Sequence, residues 1–294
     1  NRPNQARFVL DDRQPNLLAV QGAALAWGDF NGDNLPDLFL SGQRSDASYD
    51  AALYLNEGGI LALDNVVSQA FIPVRNAAAA WADYDRDGDQ DLLVAGQTEE
   101  ANLLTQLYRN EGGQRFVRDT SASADLADVE DPVLLWADFE GDNLPDGLSE
   151  AASYQPDLFL SGNDAGGIAV TRVYRNLGGR FAVVPINGLV PVQQAGAAWC
   201  FINQDSFPDL VVTGEANDEA LTHIYQYNAA NHDFDRLESL AEQSDSLLDM
   251  TDGTVLLGDM DGDGLQDILL AGSIRPDTSL IQRTVLYRQV STAD

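Results

Sequence analysis

All four tryptophans of this chain fall at one position of a motif that occurs five times. The copies read Ala23-Ala-Leu-Ala-Trp-Gly-Asp29, Ala77-Ala-Ala-Ala-Trp-Ala-Asp83, Pro132-Val-Leu-Leu-Trp-Ala-Asp138, Ala195-Gly-Ala-Ala-Trp-Cys-Phe201 and Gly253-Thr-Val-Leu-Leu-Gly-Asp259. Trp27, Trp81, Trp136 and Trp199 are thereby equivalent, and Leu257 stands in the same place in the fifth copy. Successive copies start 54, 55, 63 and 58 residues apart. A period above 50 residues is too long for the common solenoids and suits the blade of a propeller.

Each motif leads into an acidic loop and then a short apolar run that ends in glycine, as in Asp37-Leu-Phe-Leu-Ser-Gly42 and Asp91-Leu-Leu-Val-Ala-Gly96. Runs this short, bounded by turn residues, read as buried strands rather than helices. A third run carries an equivalent tyrosine in every copy: Tyr54, Tyr108, Tyr174, Tyr225 and Tyr287. Paired glycines follow it at Gly58-Gly59, Gly112-Gly113 and Gly178-Gly179, as a tight hairpin requires. A fourth run, such as Arg115-Phe-Val-Arg118, completes the unit. The expected fold is therefore all-β: a five-bladed β-propeller of four-stranded antiparallel blades, forming one domain over residues 1–294. The blades fall at 23–65, 77–119, 132–184, 195–237 and 253–289. The fifth repeat stops after its third run, while Gln5-Ala-Arg-Phe-Val-Leu10 matches the fourth-run pattern. Residues 6–10 are thus expected to close the last blade and remove two exposed sheet edges. The competing reading is an arc of a longer propeller.

The acidic loops carry the chemistry. They place oxygen side chains at positions 1, 3, 5 and 9, with the carbonyl of position 7 as a further ligand and Gly or Asn at position 6 for the turn. The first loop offers Asp29, Asn31, Asp33, Leu35 and Asp37; the second Asp83, Asp85, Asp87, Asp89 and Asp91; the fifth Asp259, Asp261, Asp263, Leu265 and Asp267. The third offers Asp138, Glu140, Asp142, Leu144 and Asp146, but an insertion from Gly147 to Pro156 leaves Asp157 as a rival for the last place. The fourth has Phe201 at position 1, leaving Asn203, Asp205 and Asp209, and is expected to be weak or empty. A flexible cage of hard oxygen ligands suits Ca²⁺ better than Mg²⁺, and the absence of His and Cys from the loops disfavours zinc. An EF-hand is excluded, because position 12 is Leu40, Val94 and Leu270 rather than glutamate.

The stretch Trp81-Ala-Asp83-Tyr-Asp85-Arg-Asp87-Gly88-Asp89-Gln-Asp91, followed by Leu107-Tyr108-Arg109-Asn110-Glu111-Gly112-Gly113, resembles an FG-GAP or VCBS repeat. Such repeats build the propeller of integrin alpha chains and of many bacterial surface and secreted proteins. The resemblance implies calcium in the loops between the first and second strands, and a role in adhesion, glycan binding or protein docking. Integrin propellers have seven blades where this chain supplies five, so integrin-like ligand recognition does not carry over.

The formal net charge is −31, and all 16 basic residues are arginine. A field this negative repels phosphate and excludes nucleic acid as the natural partner. A solvated acidic surface, bound cations or a salt-adapted surface each account for it. No apolar stretch is long enough to span a membrane. Cys200 is single and sits among apolar neighbours, the setting of a buried, inert thiol. The chain begins at Asn1 rather than Met, so any signal peptide is expected to be gone, and the expected location is secreted or cell-surface. The function expected is a calcium-stabilised binding module for adhesion or docking, with a calcium-dependent lectin as the alternative. A polysaccharide-degrading enzyme is the third reading. It needs only two carboxylates among 47 acids, but only His223 and His232 are present and no nucleophile elbow occurs.

Overall fold

The apolar runs become strands in a computed structural model that describes residues 10–14, 17–140, 156–203, 205–237, 247–275 and 279–290. Blade 1 consists of β1 (Gln21–Gly28), β2 (Asp37–Gln43), β3 (Tyr49–Asn56) and β4 (Leu61–Leu63). Blade 2 follows with β5 (Val74–Ala82), β6 (Asp91–Thr98), β7 (Leu103–Asn110) and β8 (Phe116–Asp119). Blade 3 holds β9 (Glu130–Ala137), β10 (Asp157–Asn163), β11 (Ala169–Asn176) and β12 (Phe181–Val184). Blade 4 holds β13 (Gln193–Cys200), β14 (Asp209–Ala216), β15 (Glu219–Asn228) and β16 (Asp233–Arg236). Blade 5 shows three strands among the described residues, β17 (Thr251–Gly258), β18 (Asp267–Ile274) and β19 (Ile281–Tyr287). Within every blade the strands pair antiparallel in chain order.

The blades stack through their faces. The first strands contact in sequence, β1 with β5, β5 with β9, β9 with β13 and β13 with β17. Second strands such as β2, β6 and β10 are therefore covered on both sides and buried almost throughout, which is why they read as unbroken apolar runs rather than alternating ones. One core lies between each successive pair of blades. Phe30, Phe39 and Leu53 of blade 1 meet Leu92, Tyr108 and Phe116 of blade 2, with Trp81 packed against them. The closure expected from residues 6–10 falls outside the described residues except for Leu10, which is exposed.

Two regular features were not visible as such in the sequence. Each first strand carries a β-bulge near its start, with a residue of positive φ at Gly22, Asn76, Asp131, Gln194 and Asp252. The extra residue bends the strand. In addition, the repeated tyrosine fastens the segment that enters its own blade. Its hydroxyl accepts the backbone N–H of Leu18 (2.8 Å), Ile72 (2.9 Å), Ala127 (3.0 Å), Val190 (3.3 Å) and Leu248 (2.9 Å) in blades 1 to 5. Tyr108→Phe keeps the buried ring but strands the Ile72 donor. It is expected to cost about 1–2 kcal/mol in urea unfolding. An unchanged midpoint would show that the hydroxyl is not the fastener.

Candidate metal centres

The acidic loops form where each first strand hands over to the second, and their turns match the residue types. Position 6 is left-handed at Asn34 (φ 65°), Gly88 (φ 95°) and Gly264 (φ 86°), the region that Gly and Asn tolerate. Around these turns the carboxylates collect backbone donors. Asp29 accepts the N–H groups of Asp33 (3.1 Å) and Asn34 (2.8 Å), and Asp33 accepts that of Leu35 (2.8 Å). Asp259 accepts those of Gly262 (2.6 Å), Asp263 (3.1 Å) and Gly264 (2.9 Å). Loop 83–91 follows the same plan, with Gly88 N–H on Asp83 (3.1 Å), Asp87 N–H on Asp85 (3.3 Å) and Asp89 N–H on Asp87 (3.0 Å). Asp89 turns aside to accept the Gly112 N–H (2.8 Å) of the β7–β8 hairpin.

Two of these loops gather carboxylate oxygens within 4.8 Å of one another: Asp83, Asp85 and Asp87 in one, Asp259, Asp261 and Asp267 in the other. Burial, and then the neighbouring carboxylate Asp87, push Asp85 above its usual range, and burial does the same to Asp83. The Oδ1 atom of Asp83 is buried without a hydrogen-bond partner. An orphaned carboxylate oxygen facing like charges is destabilising unless a cation satisfies it. The donor set, all oxygen, fits a hard divalent ion.

Position 9 has a second role that sequence reasoning missed. Asp37, Asp91, Asp157, Asp209 and Asp267 are all buried. One oxygen of each accepts the N–H of loop position 2, from Phe30 (2.9 Å), Tyr84 (3.1 Å), Phe139 (3.3 Å), Ile202 (2.9 Å) and Met260 (2.9 Å). The other accepts an N–H just past the third-strand tyrosine, from Asn56 (2.8 Å), Asn110 (2.8 Å), Asn176 (2.8 Å), Tyr227 (3.0 Å) and Gln289 (3.0 Å). The aspartate therefore ties the loop to the third strand in every blade, including blade 4, where the cage is incomplete. Burial pushes Asp91 up to about 8. In the third repeat Asp157 holds this place. Asp142, Leu144 and Asp146 lie outside the described residues.

Glu140 does not stand free at position 3: its carboxylate is paired with Arg175 of the third strand. Asp261 likewise meets Arg288 at 3.3 Å, and Arg109 lies near Asp85. Where position 3 is the neutral Asn31 or Asn203, the matching third-strand residue is Leu55 or Gln226. This pairing of charge with charge and neutral with neutral is a signal that the sequence does contain. In loop 201–209, Phe201 is exposed, Asn203 accepts the Asp205 N–H (3.1 Å) and Asp205 accepts the Phe207 N–H (2.8 Å), so the turn survives without an acid at position 1.

The other reactive side chains do not converge. His223 contacts the Tyr225 hydroxyl (3.2 Å) and His232 that of Tyr227 (3.3 Å). Cys200 is buried in the core between blades 4 and 5, and burial pushes its thiol far up. No helix among the described residues is long and apolar enough to cross a membrane.

Residues 29–94 match the FG-GAP-like repeat family. No curated protein matches the chain by sequence. Among solved structures, a mutant of AofleA from Arthrobotrys oligospora is similar at a TM-score of 0.51 and 13% identity, over 93% of this chain and 74% of that one. The Aleuria aurantia lectin, in complex with alpha-methyl-L-fucoside, is similar at a TM-score of 0.45 and 11% identity, over 92% of this chain and 79% of that one. The chain therefore has the fold of a repeat β-propeller, and one stretch of it, residues 29–94, matches the FG-GAP-like repeat.

Proposed function

We propose that this propeller is a calcium-stabilised, extracellular binding module that docks a protein or glycan ligand. The observation that carries the calcium reading is the buried, unpartnered Asp83 Oδ1 beside Asp85 and Asp87. Loops 29–37, 83–91 and 259–267 would hold the ions, and bound calcium would supply the positive charge that lets their carboxylates lie together. Its role is structural: it holds the outer loops in place so that the rim between blades keeps one shape. Calcium sites of modest affinity fill at the free calcium found outside cells, which supports a secreted or cell-surface location. In the third loop the longer Glu140 is held in a close pair with Arg175, tighter than the Arg288–Asp261 contact of the fifth, so this loop would bind more weakly.

The loop reading has a direct test. Phe201→Asp gives loop 201–209 the same Asp, Asn, Asp, Asp series at positions 1, 3, 5 and 9 as loop 29–37. The variant is expected to bind one more calcium than the wild type by calorimetric titration. An unchanged stoichiometry would mean that position 1 is not a ligand.

Glycan binding is favoured by a cleft of about 500 Å³ between blades 3 and 4. Gln193, Glu215 and Asp218 offer it hydrogen-bonding groups, and the exposed Ile168 offers an apolar wall. Polar groups converging beside an apolar surface are what a sugar ring needs. A glycan array run with calcium and with EDTA separates a lectin from a protein-docking module, and polysaccharide hydrolysis assays test for an enzyme. Binding that survives EDTA unchanged would sever the ligand site from the ions.

A further inference from the structure

The ninth aspartate decides which side chains stand beside the cage. One of its oxygens holds the N–H of loop position 2, and the other an N–H two residues past the third-strand tyrosine, as at Asp209 and Asp267. Loop position 3 and the residue directly after the tyrosine are thereby brought side by side. In blade 5 these are Asp261 and Arg288, whose side chains meet at 3.3 Å. In blade 3 they are Glu140 and Arg175, in closer contact. In blade 2 burial and then Asp87 push Asp85 up, and the charge of Arg109 opposes them, although Arg109 also donates to Glu111 (3.0 Å). In blade 4 Asn203 and Gln226 line one small cleft. In blade 1 position 3 is Asn31, and Leu55 turns its side chain to the core between blades 1 and 2.

The two positions vary together, and the charges come out even. The first loop has three carboxylates at positions 1, 3, 5 and 9, a neutral Asn31 and no arginine. The fifth has four, and Arg288 returns one charge. Four carboxylates and one guanidinium carry a formal charge of −3, the same as three carboxylates alone. The second loop repeats this with Arg109, its further acid Asp89 being turned aside to the Gly112 N–H.

Stability does not explain such arginines. The Arg288 side chain is 58% exposed, and ion pairs this open add little to a fold. Toward a cation the effect is larger. The guanidinium occupies Asp261 Oδ2, and its charge opposes that of an incoming ion. Calcium affinity follows the charge of the ligand set, so an arginine beside every acidic position 3 and none beside a neutral one is what trimming that charge requires.

We propose that Arg288 in the fifth loop and Arg109 in the second are counter-ions that set calcium affinity, each bringing its four-acid cage down to the level of the three-acid first loop. The proposal rests on the calcium reading of these loops. Cages of different composition then fill over one range of calcium concentration, so the outer loops order together rather than blade by blade. The third loop lies further along the same scale, because Arg175 holds Glu140 more closely.

Calorimetric calcium titration of the whole chain at low ionic strength tests this on the fifth loop. Arg288→Leu copies the residue of blade 1, and Arg288→Gln copies that of blade 4. Thermal melting in calcium confirms that each variant is folded. In both, one of the bound ions is expected to tighten by roughly tenfold, the opposition that a unit charge several ångströms away offers a divalent ion in water. The gain should shrink in added salt. Arg288→Lys keeps the charge and should titrate like the wild type. Asp261→Asn combined with Arg288→Leu gives the fifth loop the composition of the first, and should return the tightened ion to the wild-type range. A wild type that binds no calcium removes the calcium reading and this proposal with it. A wild type that binds calcium while both neutral variants titrate identically to it overturns the proposal alone. So does a gain that persists in the double variant or in Arg288→Lys.

Discussion

Excess EDTA is expected to lower the melting temperature far below the value in millimolar calcium. An ion present at about a hundredfold its dissociation constant adds ~2.7 kcal/mol per site. Three such sites would add on the order of 8 kcal/mol, and at roughly 2 °C per kcal/mol in a chain of this size the shift is on the order of 15 °C. Without the ion, Asp83 and Asp85 remain close, partly buried and mutually repelling, with one Asp83 oxygen unsatisfied. Magnesium should restore less of the loss, since it holds its water more tightly and asks for a stricter geometry. Equal melting in EDTA and in calcium would remove the metal reading of the loops.

Asp209→Ala is expected to destabilise the protein by about 3–5 kcal/mol in urea unfolding, with or without calcium. Asp209 is buried and ties Ile202 N–H (2.9 Å) to Tyr227 N–H (3.0 Å), joining the loop of blade 4 to its third strand. Removing it leaves two donors unmet in a site too enclosed for easy hydration. Phe201 stands at position 1 of this loop, so the loss should not depend on an ion. Asp205→Ala, at an exposed position in the same loop, should cost less than about 1 kcal/mol. A loss at Asp209 that appears only in calcium would make it a ligand first and a tie second.

The repeat was legible from the chain alone because its period is carried by residues that burial leaves little freedom to change. The tryptophan position, the apolar second strand and the tyrosine recur where they must pack, and the hairpin glycines recur where φ must be positive. These determined the strands, their order and the number of blades, and the spacing of Asp29, Asn31, Asp33 and Asp37 pointed to an oxygen cage without any coordinates. Other properties depend on what lies across an interface, and no linear pattern carries that. The bulges at Gly22, Asn76, Asp131, Gln194 and Asp252 share a backbone shape rather than a residue type. The ninth aspartate looked like a ligand alone, and only the fold brings it against the third strand. Asp157 holds that place in the third repeat because the strand, not the count of residues from Asp138, sets the position. Trp27 and Trp81 are identical in motif, yet one is exposed and the other packs against blade 1, since burial here is a property of the neighbouring blade.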